Sequence, residues 1–231
     1  MRADCLCHLI LVQIRSLDSV AATGVVQQCD HARRARRRRC RVRVREDEAH
    51  QAEDVVRHMR RGLHNAAEMR EACRDLAAMM GTAYPTEEEG ALREERRARA
   101  GAAGAVEAVV AVMRAHAEAV GVQENGCEAL RNMAADNPEN RARSRVAGAV
   151  EAVVAAMRAH KFYVLLQENG FGALYTMSVD SHENQARARA AGAPEAVASA
   201  MRTHARGNCA WADAGAPQLL QGRRVIALLA S

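Results

Sequence analysis

Three histidines recur once each in a repeated block: His116, His160 and His204, 44 residues apart. Imidazole ligates metals and moves protons near neutral pH, so a periodic histidine is the first place to look for chemistry. The spacing argues against a shared ion. Equivalent positions in neighbouring helical repeats lie about 10 Å apart, while a zinc ion needs its ligands at about 2 Å. Each histidine closes a Met-Arg-Ala/Thr-His run, which reads as a cation at the carboxyl end of a helix, favoured by the helix dipole. Cys5-Leu6-Cys7-His8 offers three more ligand types, but without zinc-site spacing or a second cluster it reads as free thiols. Ser178, Asp180, Ser181 and His182 include the residue types of a hydrolytic triad. They are neighbours only in sequence and fall at a helix start, where Ser and Asp act as caps. Gly101 and Gly104 are not followed by the Lys-Ser/Thr pair of a phosphate loop. No enzyme signature emerges, and neither a cofactor nor a metal is expected.

The strongest charge feature is a run of nine arginines: Arg33, Arg34, Arg36, Arg37, Arg38, Arg39, Arg41, Arg43 and Arg45. Without these nine, 24 of the 33 basic residues remain against 28 acids, so the rest of the chain is −4 although the whole is +5. The basic character belongs to one tract and does not predict a nucleic-acid-binding surface elsewhere. Like charges at that density keep a segment open, so residues 1–46 are expected to be a disordered basic arm. A nuclear-import signal, an arm for RNA or phosphate, a leader and a solvated tail all fit. Arginines there would attract polyanions in a salt-dependent, sequence-blind way, but no aromatic residues are interleaved for base stacking.

The elements that must position any surface come from the repeat. Gly104-Ala105-Val106-Glu107-Ala108-Val109-Val110 returns as Gly148-Ala149-Val150-Glu151-Ala152-Val153-Val154 and again, altered, from Gly192. Gln123-Glu124-Asn125-Gly126 returns at Gln167, and Glu139-Asn140 at Glu183-Asn184. A period of this length predicts a stacked array in which each unit completes its neighbour's core. Aromatics are 3% and prolines only four, a composition that leans to all-α. Three helices per repeat are predicted. The middle one carries Val150, Val153, Val154 and Met157 at i, i+3, i+4 and i+7, matched by Val106, Val109, Val110 and Met113. The long one points Val122, Gly126, Cys127, Leu130 and Met133 inward, matched by Leu166, Gly170, Phe171, Leu174 and Met177. A short helix from Pro138 to Val146, capped by Asp136 or Asn137, precedes the middle one, with Gly148 and Gly192 at the bend. Asn125-Gly126 and Asn169-Gly170 would ordinarily suggest turns, but helical spacing continues on both sides, so helix is expected.

The first repeat begins near Asp47, with Val55, Val56, Met59, Cys73, Leu76 and Met79 each 54 residues before their counterparts. That offset implies ten inserted residues after Met79 and a lengthened linking helix. Thr86 and Glu89 form a capping-box pattern there, and Glu89–Arg93 and Glu95–Arg99 are i,i+4 pairs. After His204 no counterpart of the long helix is apparent; an irregular cap built from Leu219, Leu220, Val225, Ile226, Leu228 and Leu229, a truncated repeat and an unreliable gene end fit equally. Seven scattered cysteines, with Cys73 and Cys127 at the same repeat position, predict reduced thiols in a cytoplasmic or nuclear protein. The apolar stretch Leu9 to Val12 is too short to span a bilayer.

The repeat resembles the armadillo family, on Glu139-Asn140-Arg141, Ala147-Gly148-Ala149-Val150 with Val153-Val154, Val122-Gln123-Glu124, and Ala129-Leu130-Arg131-Asn132-Met133-Ala134. It is most similar to the long, alanine-rich units of some protist proteins and of leucine-rich-repeat kinases, over residues 47–206. The resemblance implies an armadillo-like α-solenoid of about three full three-helix repeats (47–103, 104–147, 148–191) with a partial unit at 192–206. Residues 207–231 would be a degenerate carboxyl-terminal cap. It also implies a groove lined by third helices, where asparagines clamp extended peptides. Only Asn132 fits that position; Ala78 and Thr176 stand there in the other full repeats. The position one turn earlier, often Trp in import receptors, is Arg74, Glu128 and Gly172. The expectation is a non-enzymatic protein–protein interaction scaffold whose contact row is Arg74, Glu124, Glu128, Asn132, Glu168 and Thr176. Its protein partner is unspecified, nucleic acid enters only through the arginine arm, and no membrane span is expected. With so few units, stability is expected to be marginal.

Overall fold

The bends between short and middle helices show how the sequence sets the architecture. Gly104, Gly148 and Gly192 take φ of 84°, 73° and 74°, a left-handed conformation that a side chain makes costly. In the computed structural model, which describes residues 51–62, 64–81, 87–205 and 217–230, each of these glycines starts a helix. Met1–Glu48 and Ala49–Ser231 are separate units; all the described residues belong to the second.

Among the described residues there are eleven helices and no strand. We number them α1 (51–61), α2 (Ala66–Met80), α3 (Glu87–Ala102), α4 (Ala105–Ala115), α5 (Val120–Ala134), α6 (Pro138–Ala147), α7 (Ala149–Ala159), α8 (Val164–Ser178), α9 (His182–Ala190), α10 (Ala193–Ala205) and α11 (Pro217–Ala230). The long helices touch in order, α2 on α5, α5 on α8 and α8 on α11. The middle helices do the same, α4 on α7 and α7 on α10, as do the short ones, α3 on α6 and α6 on α9.

The apolar stripes are buried as periodicity predicts: Val106, Val109, Val110 and Met113 on α4, and Val150, Val153, Val154 and Met157 on α7. The inward residues of α5 and α8 are buried too. Both Asn-Gly pairs lie inside helices. The reason is close approach: a Cβ on Gly126 would sit 2.7 Å from Met113 Cγ, and one on Gly170 would sit 2.7 Å from Met157 Cγ. The methionine of the middle helix occupies the missing side chain's space, which offsets the roughly 1 kcal/mol that glycine costs in a helix. Asn137 caps α6 by accepting from Asn140 N, with Pro138 in the first turn; Asp136 does not cap but takes φ 52°.

Three features differ from the sequence reading or fall outside it. Residues 217–230 are a regular helix, α11, not an irregular cap. Gly222 lies against Met201 Sδ as Gly170 lies against Met157, so α11 stands where a fourth long helix would. The equivalence is masked because Gly222 follows Met201 by 21 residues, whereas Gly126 follows Met113 by 13. In α2, Met80 is fully buried and Met79 only partly, with Cys73 and Leu76 inward as expected. The linking helix α3 is indeed longer, 16 residues against 10 in α6, and Arg99 pairs with Glu95 at 3.7 Å. Thr86 and the side chain of Glu89, and with them the capping box and the Glu89–Arg93 pair, lie outside what is described, as do the arginine run, Cys5, Cys7 and His8.

Candidate functional site

The polar residues that recur between repeats are joints. Gln123 Nε2 donates to Met113 O and His116 O, both at 2.8 Å; Gln167 Nε2 donates to Met157 O (2.9 Å) and His160 O (3.1 Å). Each glutamine thus satisfies carbonyls left open at the end of a middle helix. Asn140 Nδ2 bridges Arg97 O of the preceding short helix (2.9 Å) and Met133 O at the end of the long one (3.0 Å). Asn184 repeats this on Arg141 O and Met177 O.

Two of the three recurring histidines are joints as well, while His116 Nε2 is buried with no hydrogen-bond partner among the described residues. His160 Nε2 lies 2.7 Å from Ala117 O, and His204 Nε2 lies 2.9 Å from Lys161 O, each 43 residues earlier. A carbonyl only accepts, so Nε2 carries the proton in both. His160 also follows the last residue of α7; the helix-end reading was correct in place, but the partner is a backbone oxygen in the preceding repeat. Among the described residues no group of three His, Cys, Asp or Glu side chains could hold a metal ion.

A further joint is built from arginine and glycine. Arg60 Nη2 donates to Ala103 O at 2.9 Å, Arg114 Nη2 to Ala147 O at 2.9 Å, and Arg158 Nη2 to Gly192 O at 3.0 Å. Each guanidinium reaches from a middle helix over the next repeat's glycine bend. A Cβ on Gly148 would lie 2.5 Å from Arg114 Nη2. The bend's positive φ is what requires glycine; the arginine tip above it can move aside. Carboxylates complete the joint, Glu107 with Arg143 at 3.9 Å and Glu151 with Arg187 Nε at 2.7 Å. Arg97 closes the inserted region: it is buried, donates to Ala135 O (2.9 Å) and Met80 O (3.5 Å), and so sits at the carboxyl ends of α2 and α5. Burial, then repulsion from Arg93, lowers its pKa; the helix-end carbonyls compensate its charge.

The predicted contact residues lie on three touching helices: Arg74 on α2, Glu124, Glu128 and Asn132 on α5, and Glu168 and Thr176 on α8. Arg74 is exposed and pairs with Glu71, and the other five are half-buried. Asn132 Nδ2 donates to Ala77 O at 3.0 Å, tying α5 to α2; Asn125 does the same to Arg70 O. Thr176 Oγ1 donates to Gly172 O of its own helix at 3.0 Å. Gly172 gives room to Arg131, whose Cδ would be 2.5 Å from an added Cβ.

The hydrolytic residue types do not assemble. Ser181 caps α9, Ser178 is buried at the end of α8, and His182 and Asp180 are exposed. Cys73 and Cys127 are free and buried; burial pushes both thiols up to about 12, far from the reactive thiolate. No described helix is long and apolar enough to cross a membrane. No protein-family model matches the chain, and neither a curated protein nor a solved structure matches it.

The joints were partly visible in sequence as recurring Arg114-Ala115-His116 and Gln123-Glu124-Asn125. Their acceptors were not, because a backbone carbonyl leaves no side-chain signal, whether 10 residues away, as for Gln123, or 33, as for Arg114.

Proposed function

We propose that the chain is an armadillo-like α-solenoid acting as a non-enzymatic scaffold, binding a protein partner along the outward side of its long helices. One observation carries this reading: α2, α5 and α8 lie against one another in chain order and, although Glu124 and Glu168 match, present unlike residues at two further equivalent positions. Arg74, Glu128 and Gly172 share one position, as do Ala78, Asn132 and Thr176. Variation on a repeated frame is what a surface selected for one partner needs. The interlocked 43-residue hydrogen bonds supply a frame stiff enough to hold it.

The test uses the full chain as bait, with mass spectrometry to identify what it retains. Glu124→Arg with Glu128→Arg reverses charge on the row and leaves the Asn132 bond intact. Affinity for the retained partner is expected to fall about tenfold or more, since reversed charges across an interface cost on the order of a few kcal/mol. Unchanged affinity with unchanged helical circular dichroism removes this face from consideration.

The nine arginines favour a second reading, a polyanion-binding arm acting from a cytoplasmic or nuclear protein. Replacing them with serine should abolish salt-dependent RNA binding. If the substituted chain binds RNA as well as the original, the arm plays no part.

A further inference from the structure

The loop joining α7 to α8 departs from its sibling one repeat earlier. Ala117, Glu118, Ala119 and Gly121 become Lys161, Phe162, Tyr163 and Leu165, while Val120 and Val164 match. On either side the repeats agree, Met113 with Met157 and Gln123 with Gln167. Core packing does not explain the change: Phe162 is 69% exposed, Tyr163 52% and Leu165 58%. The chain has six aromatic residues, two Phe, three Tyr and one Trp, and two of them stand on this tip.

The tip also has a definite charge. Lys161 is the only lysine of the chain, and its Nζ lies 4.9 Å from the Phe162 ring centroid. The acid of the sibling loop, Glu118, is the residue replaced by Phe162. No acid occurs between Glu151 and Glu168, and the first turn of α8 contains none. Tyr163 is steadied from beneath by the His160 ring, edge-on at 6.0 Å.

Size and shape select the occupant. A stable protein interface buries about 800 Å² and some 20 residues on each side, far more than three side chains on a loop provide; a second copy of the chain would face the same shortfall. A bilayer needs no shape complementarity. Aromatic rings settle at its headgroup level, leucine enters the acyl boundary, and an ammonium on a long stem reaches lipid phosphates.

We propose that the α7–α8 loop, with the first turn of α8, is a lipid-contacting tip: Phe162 and Tyr163 of the loop and Leu165 of α8 enter the interface of an anionic bilayer while Lys161 stays at the phosphates. The contact is peripheral and weak on its own.

The experiment is co-sedimentation of the full chain with phosphatidylcholine vesicles containing about one-fifth phosphatidylserine. Salt at about 0.5 M screens the arginine run. The comparison protein carries the sibling loop: Lys161→Ala, Phe162→Glu, Tyr163→Ala and Leu165→Gly. Partitioning is expected to fall about tenfold in this variant and about threefold with Phe162→Glu alone. Circular dichroism checks folding, and Phe162→Glu decides if the fourfold variant misfolds. Equal partitioning of folded variant and original chain overturns the proposal, as does failure of the original chain to sediment. A dimer of the original chain that the substitutions dissolve also overturns it, in favour of a second copy on the tip.

Discussion

The joints between repeats and the outward side of the long helices obey opposite rules. At the joints the same residue returns: Arg114 and Arg158, Asn140 and Asn184, His160 and His204. On the outward side Glu124 does return as Glu168, but Arg74, Glu128 and Gly172 differ at one position and Ala78, Asn132 and Thr176 at the next. The difference follows from what each side chain meets. A joint residue meets backbone carbonyls and a glycine bend, which are alike in every copy, so one solution serves throughout. An outward residue is partly open to solvent, and only some positions are held by a neighbouring copy, as Asn132 is by Ala77 O and Gly172 by Arg131.

This contrast can be broken by substitution, most severely at the glycine bends. Gly148→Val should cost about 3 kcal/mol, chiefly from a strained left-handed backbone, with a smaller loss where the displaced Arg114 tip leaves Ala147 O; a fall in melting temperature on the full chain measures it. Removing the arginine as well, in Gly148→Ala with Arg114→Ala, should recover little, because the strain stays. Next in size is Asn140→Leu. It strands the carbonyls of Arg97 and Met133 in a buried place, so about 2 kcal/mol is expected in urea titrations. Asn132→Ala sharpens the contrast, because Asn132 belongs to both regions: it stands on the outward row yet donates to Ala77 O. About 1 kcal/mol of stability should be lost, and a larger change in partner affinity than in stability would place its main role outside the joint. Glu124→Arg with Glu128→Arg should change stability by no more than about 0.5 kcal/mol, as expected of half-exposed positions away from joints.

The buried helix faces were legible in sequence because a 3.6-residue period leaves its mark on every turn. The helical Asn-Gly pairs were legible for the same reason, although only the structure supplies the methionine that explains them. The carboxyl-terminal helix was not. Its linker runs eight residues longer than in the repeats before it, and Leu219 stands at the place of the repeated glutamine, so period and motif fail together. The histidines were half legible: the helix end is visible in sequence, the carbonyl acceptor is not. The contact row was named in sequence, yet the structural bond made by Asn132 required knowing that Ala77 lies opposite. The departure of residues 161–165 from the sibling loop was open to inspection, but its exposure was not.

The arginine that crosses each bend belongs to the earlier copy, and the glycine beneath it to the later one. Every boundary is therefore cut through matching halves. Duplicating one 44-residue segment in the gene would create a new boundary with its donor and its receptacle already in place, so chain length in such a protein can change by whole segments without redesigning any of them.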